Sequence, residues 1–362
     1  MPESAFGINI GIREDTMREK ILFDEGWRFL ENPPEEQPAK TKCGTYISAK
    51  TERLKWGPGC WAHKDVHEYW SFEEELPSER WEAVNLPHDY IVRQTPDPME
   101  NKSLGFFHYP KAWYRKHFTL SEEDLERRLT ILFEGVTGIS DIYLNGCFLR
   151  HNEGGYASFE VDISDLARAD RENVLAVRVD PNCYDGWWYA GGGIFRHVWL
   201  VKTDTVAVDL WGLYAAPKPP TDGGTAWEVP VEVACRNSGY EVQEVRVRCQ
   251  IVSPSGETVA ETALKGVLAP REVTKLTGAV KVASPQLWSL EAPALYTLRA
   301  TVAKGKGKAV CDGEAVRFGF RTFRYDAKKG LLLNGKPVKV KGVCRHGDFG
   351  LTGKAVPNNI CR

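Results

Sequence analysis

The sequence predicts an all-β fold, and three observations support this prediction. Helical periodicity is scarce over the 362 residues, whereas short segments of alternating apolar residues recur along the chain. Asn145-Gly146 and Asn334-Gly335 each stand between apolar runs, a strong signal of a β-hairpin. The 33 glycines and 21 prolines supply frequent turns. The length predicts two or three domains.

The first half of the chain is predicted to be one all-β domain. Segments with a strand pattern are 129–133, 141–144, 147–149, 173–179 and 197–201. The clearest helical signal is short: Ser121 is followed three residues later by Asp124, as in a capping box that begins a helix. A helix of this length cannot organise a domain.

The second half of the chain is predicted to form another sandwich, followed by a segment with a different sequence pattern. Residues 215–225 are rich in proline and glycine, and we interpret them as a long loop near a domain boundary. Strand patterns then recur at 227–233, 245–251 and 295–302. About 100 residues of such strands is the size of an immunoglobulin-like sandwich. A hairpin at Asn334-Gly335 leads into a strand predicted over 338–343. The residues after this strand are expected to be too few to complete the domain that it would begin.

Composition excludes several classes of protein. Lys and Arg total 47 against 49 Asp and Glu, which gives a net charge of −2 and no electrostatic signature of nucleic-acid binding. A mean hydropathy of −0.38 and the lack of a long uncharged apolar run argue against a membrane span. Residues 1–20 lack the apolar core of a signal peptide, and the nine cysteines show no metal-ligand spacing. We therefore expect a cytoplasmic protein with reduced thiols.

Nine short segments carry a family resemblance over nearly the whole chain. They are LPHDY at 86–90, AWYRKHF at 112–118, FEGV at 133–136, YLNG at 143–146, WYAGGGIFRHVWL at 188–200, WSLEAP at 288–293, FGFR at 318–321, LNGKP at 333–337 and GVCRHGD at 342–348. In this order they resemble the N-terminal portion of glycoside hydrolase family 2, which contains β-galactosidases, β-glucuronidases and β-mannosidases. The Val-Cys-x-His-x-Asp-x-Gly pattern at 343–350 is most similar to β-galactosidase-like members.

The resemblance implies three domains and an activity. Residues 1–204 correspond to a jelly-roll sugar-binding domain, with 1–17 expected to be disordered, and 205–324 to an immunoglobulin-like sandwich. Residues 325–362 correspond to the start of a truncated (β/α)₈ barrel, because a complete barrel needs about 250 residues. The implied activity is that of a retaining exo-β-glycosidase acting on terminal β-D-galactosides or related β-glycosides.

The resemblance places the two catalytic glutamates on barrel strands beyond Arg362, so no catalytic residue is assigned. A retaining glycosidase needs two carboxyl groups about 5–5.5 Å apart. The chain alone is therefore predicted to be inactive. No cofactor is expected in this chain, although some family members use Mg²⁺ or Na⁺ through barrel residues.

Three substrate-binding residues are implied by the resemblance: Asp185, His346 and Asp348. Each also has a purely structural interpretation, since Asp185 before Gly186 is typical of a turn and the other two side chains can bond local backbone groups. His88-Asp89 is interpreted as a structural turn. Gly191-Gly192-Gly193 is interpreted as a tight loop, because it lacks the GxGxxG spacing of a phosphate site.

Two alternatives stay open at this point. The chain can be a non-catalytic carbohydrate-binding sandwich protein, or the same family with β-glucuronidase or β-mannosidase specificity. In each case the expected partner is a carbohydrate, and neither nucleic acid nor a membrane is expected. The sequence is compatible with a homo-oligomer and does not set the number of subunits.

Overall fold

The computed structural model describes residues 18–31, 81–182, 188–221, 223–305 and 310–360, which form two compact units built from β-sheets. We call the described residues of Lys20–Lys202 and Arg345–Arg362 the first sandwich. The described residues of Thr203–Cys344, with Arg18 and Glu19, are the second sandwich. The all-β prediction is confirmed. The domain limits at 204 and 324 stay predictions, and residues 1–17 lie outside the described ranges.

The first sandwich consists of two sheets. Its strands are β1 (Glu19–Leu22), β2 (Trp27–Glu31), β3 (Glu82–Val84), β4 (Ala112–Phe118), β5 (Arg128–Phe133), β6 (Ile139–Leu144), β7 (Cys147–Glu153), β8 (Phe159–Asp162), β9 (Asn173–Asp180) and β10 (Val198–Thr203). One sheet has the order β1-β10-β5-β8 and the other β3-β2-β4-β9-β6-β7. Strands distant in sequence thus become neighbours, as in a jelly roll.

The core of the first sandwich follows from the two-residue period of its strands. In β4, Tyr114 belongs to the main buried cluster, whereas its neighbour Trp113 packs against Tyr143 with ring centroids 5.6 Å apart in a second cluster. Burial of each such side chain stabilises the fold by about 1.5–3 kcal/mol. The larger sheet is therefore apolar on both faces.

Local signals correctly predicted one hairpin turn and the helix of the first sandwich. Asn145 (φ 51°) and Gly146 (φ 81°) form the turn between β6 and β7, where a two-residue hairpin loop requires positive φ. Helix α1 (Glu122–Leu125) begins with the predicted capping box of Ser121 and Asp124. Two 3₁₀ turns span Ile91–Arg93 and Lys102–Leu104. No helix in the described ranges is long and apolar enough to cross a membrane.

The second sandwich has seven strands in two sheets and a small third sheet. Its strands are β11 (Val206–Ala215), β12 (Ala226–Asn237), β13 (Gln243–Val252), β14 (Thr258–Leu268), β15 (Val273–Ala283), β16 (Tyr296–Lys304), β17 (Val310–Phe318), β18 (Phe323–Asp326), β19 (Gly330–Leu333) and β20 (Lys336–Pro337). The orders β11-β12-β15 and β14-β13-β16-β17 give the immunoglobulin-like arrangement, and β18-β19-β20 form the third sheet. The loop predicted at 215–225 joins β11 to β12.

The second sandwich contains a buried ion pair that the sequence did not predict. The fully buried Asp312 carboxylate accepts hydrogen bonds from Arg18 Nε (2.9 Å), Arg18 Nη2 (2.7 Å) and the Val208 backbone nitrogen (2.7 Å). Arg18 Nη2 also donates to the Val208 carbonyl oxygen at 2.7 Å. This bidentate pair joins the segment before β1 to β11 and β17.

The strand predicted over 338–343 is not formed. The Val338 backbone nitrogen donates to the Leu331 carbonyl oxygen, and after this bond residues 338–348 contain no strand. Val343 is 95% exposed. A strand is stabilised by hydrogen bonds to a neighbouring strand, and the described part of the chain offers none beside this segment.

Candidate functional site

The three predicted substrate-binding residues have different outcomes in the structure. Asp185 lies outside the described residues. His346 is exposed and Asp348 is partly exposed, on the segment that follows β20 and belongs to the first sandwich. None of the three assignments is tested by the fold itself, so they stay predictions.

Asp89 joins three segments of the first sandwich through one carboxylate. Its Oδ1 accepts hydrogen bonds from the backbone nitrogens of Ile91 (3.1 Å) and Gly192 (2.9 Å). Its Oδ2 accepts from the Tyr189 hydroxyl (2.9 Å) and from the Lys354 backbone nitrogen (2.7 Å). Burial raises the pKa of this carboxyl, and the four donors oppose that shift because they favour the ionised form. Asp89 therefore fastens the segment carrying His346 and Asp348 to the glycine loop.

The loop Gly191-Gly192-Gly193 is packed backbone and leaves no space for a phosphate. A Cβ atom at Gly191 would lie 2.6 Å from both Asp89 Oδ2 and Lys354 Cγ, and one at Gly192 would lie 2.5 Å from Ile91 Cγ1. Gly193 has φ 119°, a conformation that side-chain-bearing residues rarely adopt. Each position thus requires glycine for close approach to its neighbours.

Tyr189 links this loop to one of the predicted sugar-binding residues. Burial raises the pKa of its hydroxyl well above the ordinary value, and the carboxylates of Asp89 and Asp348 raise it further. Asp348 is therefore within electrostatic reach of Tyr189. The contact between the two segments that the structure shows is the Asp89 carboxylate, which accepts from the backbone nitrogens of Gly192 and Lys354.

His88 is buried beside Asp89 and is held as a neutral imidazole. Arg93 Nη2 lies 3.0 Å from His88 Nε2, and since a guanidinium only donates, Nε2 accepts and the ring proton is on Nδ1. Nδ1 lies 2.8 Å from the Tyr114 hydroxyl. Burial lowers the pKa of His88 to about 4, and the Arg93 cation contributes to the lowering.

This shift predicts acid sensitivity of the first sandwich. Because the folded pKa of His88 is depressed, its contribution to stability is present above the unfolded value near 6.5 and is lost as the pH falls toward 4. The loss should reach roughly 3 kcal/mol over that window. Urea unfolding measured across this pH range should show a shallower pH dependence for His88→Gln than for the original chain. His108→Gln, at an exposed histidine, serves as the control; equal slopes for both variants would disprove the assignment.

The chemistry available at this site is binding and positioning. All four donors around Asp89 point at its oxygens, so this carboxylate is not available as a nucleophile or a proton donor. Within the described residues, no group of three or more His, Cys, Asp or Glu side chains is placed to hold a metal ion. Sequence reasoning missed the role of Asp89 and of Tyr189, since no local pattern links Asp89 to Lys354, 265 residues away.

Comparison with known proteins places these features in a family. Residues 62–204 match the model for "Glycosyl hydrolases family 2, sugar binding domain", and residues 212–321 match the model for "Glycosyl hydrolases family 2". These matches together cover well over half of the chain.

Individual relatives agree with the family models. Beta-galactosidase BoGH2A of Bacteroides ovatus is 34% identical over 282 residues, which are 76% of this chain and 32% of that protein. A beta-glucuronidase of Bacteroides fragilis is 27% identical over 284 residues, 75% of this chain and 39% of that protein. The crystal structure of a beta-glycosidase from Bacteroides vulgatus superposes with a TM-score of 0.73 at 26% identity, covering 94% of this chain and 39% of that one. The chain spans about a third of the length of the relatives it matches.

Proposed function

The chain belongs to glycosyl hydrolases family 2, and from that premise we propose that it forms the N-terminal part of a retaining exo-β-glycosidase. Its substrates are terminal β-D-galactosides or related β-glycosides. The nucleophile and the acid/base are two glutamates of a barrel that would follow Arg362. This division of labour is consistent with the described site, where Asp89 is committed to four hydrogen bonds.

The observation that carries the proposal is the junction at Asp89. It holds the segment containing His346 and Asp348 against the loop that follows Asp185, although these segments are far apart in sequence. We propose that Asp185, His346 and Asp348 bind hydroxyl groups of the terminal sugar. Carboxylates suit this role because hydrogen bonds to a charged group are stronger than neutral ones.

The sugar is the finer part of the proposal. The Val-Cys-x-His-x-Asp-x-Gly pattern and the similarity to a Bacteroides ovatus beta-galactosidase favour galactosides. Relatives named beta-glucuronidase match over a comparable share of the chain, so β-glucuronides are the second candidate.

The test compares two proteins, the 362-residue chain and the same chain extended by the proposed barrel. We expect the extended protein to hydrolyse nitrophenyl β-galactoside with retention of configuration, and the 362-residue chain to show no turnover, because it lacks the carboxylate pair. Nitrophenyl β-glucuronide and β-mannoside measure the specificity. Turnover by the 362-residue chain alone would contradict the proposal. An inactive extended protein that still binds sugars would favour the non-catalytic alternative.

A further inference from the structure

Residues 345–360, which we call the C-terminal segment, are fixed to the first sandwich at a second point besides Asp89. The Asn358 side-chain nitrogen lies 3.1 Å from His197 Nε2, a contact between residues 161 positions apart. His197 directly precedes β10, and its backbone carbonyl oxygen accepts a hydrogen bond from the Glu134 backbone nitrogen at 3.0 Å. The sandwich therefore holds the histidine in place, and the histidine contacts the C-terminal segment.

A buried carboxylate contacts the other nitrogen of the His197 ring. Asp24 Oδ2 lies 2.6 Å from His197 Nδ1, and the Asp24 side chain is only 7% exposed. Asp24 Oδ1 accepts from the Val198 backbone nitrogen at 3.0 Å, which fixes the carboxylate beside the ring. Since an ionised carboxylate only accepts, Nδ1 carries a proton and donates it to Asp24. The ring therefore gains or loses its second proton at Nε2, where Asn358 lies.

The two protonation states of His197 require opposite hydrogen bonds with Asn358. When the ring is neutral, Nε2 accepts from the Asn358 NH₂ group, which is the arrangement in the structure. When the ring is charged, Nε2 carries a proton, and only the amide oxygen of Asn358 can accept it. Within the described ranges the Asn358 side chain makes no other hydrogen bond. Rotation of this amide can therefore preserve the contact in both states.

The charged ring makes the stronger contact. A hydrogen bond from a charged donor is roughly twice as strong as a neutral one. Hydrogen bonding to Asp24 raises the pKa of His197, although burial opposes this shift. The Glu134 carboxylate and the hydrogen bond with Asn358 raise it further. Because the coupling between two binding events is reciprocal, protonation of His197 tightens the contact with Asn358 by the same factor.

The charged groups around His197 favour its charged form. Asp24 and Glu134 are the two carboxylates that act on the ring. Trp199, whose ring centroid lies 6.1 Å from that of His197, donates from Nε1 to Glu134 Oε1 at 2.8 Å. The cations on the adjoining elements face other groups: Lys20 the Trp199 ring, Lys116 the Glu25 carbonyl oxygen and Arg196 the Tyr156 carbonyl oxygen.

We propose that His197 is a pH-sensitive switch that holds the C-terminal segment more tightly when its ring is charged. The contact is at full strength below the ordinary histidine value near 6.5, and it weakens as the pH rises through the raised pKa of the folded protein. The switch is a property of the first sandwich itself. Its consequence for the enzyme rests on the proposed function: residues 356–360 lead toward the proposed barrel, and a neutral His197 fixes their course less firmly.

The test follows the eight histidine rings of the 362-residue chain by NMR from about pH 5 to pH 9, with His197→Gln identifying the His197 signal. We expect its titration midpoint to lie above the ordinary value near 6.5. Asn358→Leu removes both hydrogen-bonding groups and should lower the proton affinity of His197 roughly two- to threefold. Asn358→Asp supplies a carboxylate and should raise it. Asn359→Leu, at the exposed neighbouring asparagine, is the control and should leave it unchanged.

A second measurement follows the C-terminal segment directly. Relaxation of the backbone ¹⁵N nuclei of Asn358 and Ile360 reports their mobility on the nanosecond timescale. We expect this mobility to increase as the pH rises through the His197 midpoint, and the pH dependence to be lost in His197→Gln. An unchanged His197 midpoint in Asn358→Leu, or mobility independent of pH in the original chain, would overturn the proposal. Neither measurement involves hydrolysis, so this inference and the proposed function fail independently.

Discussion

Replacing Asp89 with alanine is expected to destabilise the first sandwich by about 3–5 kcal/mol. The substitution removes the acceptor for four donors, three of them backbone nitrogens, and each buried donor left unpaired costs about 1–3 kcal/mol. Water entering the space left by the carboxylate lowers the total. Urea unfolding followed by circular dichroism measures the loss.

The variant Asp89→Asn tests the hydrogen bond between Asp89 and the Lys354 backbone separately from the overall stability of the first sandwich. Its amide oxygen still accepts from Ile91 and Gly192, but its NH₂ group faces the backbone N–H of Lys354. Amide hydrogen exchange should therefore accelerate most in residues 349–356. Asp326→Ala is the matched control, since Asp326 also accepts two backbone N–H bonds but in an exposed turn. Exchange that stays slow in the C-terminal segment of Asp89→Asn would refute the role of this carboxylate.

Replacing Asp312 with alanine is expected to cost the second sandwich about 3–5 kcal/mol, the range for breaking one partner of a buried ion pair. The change leaves the largely buried Arg18 guanidinium without this carboxylate and the Val208 backbone nitrogen without its acceptor. Urea unfolding of the variant should show a lower midpoint with an unchanged slope.

Glu314→Ala is the control for this prediction. Glu314 also contacts Arg18, at 3.2 Å, but its side chain is 40% exposed. Exposed ion pairs contribute about 0–1 kcal/mol, so this variant should be nearly as stable as the original chain. Similar losses of stability in Asp312→Ala and Glu314→Ala would show that burial does not determine the strength of the Arg18–Asp312 ion pair. A double-mutant cycle with Arg18→Met and Asp312→Ala would then measure the interaction energy between these two side chains directly.

Local chemistry made much of the fold predictable. The turn at Asn145-Gly146 needs positive φ at both residues, and Asn and Gly tolerate it better than other residues, so the sequence pattern carries the hairpin. The same reasoning applies to Asn334-Gly335. The capping box of α1 likewise depends on residues only three positions apart.

Contacts between distant segments were not predictable in this way. The Arg18–Asp312 pair joins residues 294 positions apart, and the Asp89–Lys354 bond joins residues 265 positions apart. Neither pair belongs to a periodic or local motif. The strand predicted over 338–343 does not form, for a related reason. Its alternating pattern suits a strand, but a strand also needs a neighbouring strand to pair with, and a local pattern does not show whether there is one.

The discontinuity of the first sandwich has a consequence for its biosynthesis. A ribosome making about 5–20 residues per second needs roughly 13–53 s to proceed from Asp89 to Lys354, which follows 265 residues later. Residues 203–344 of the second sandwich are translated within this interval, and until its end the nascent first sandwich lacks the Lys354 backbone N–H that donates to Asp89. The order of synthesis therefore delays the hydrogen bond between Asp89 and Lys354, which completes the first sandwich, until the second sandwich has been translated.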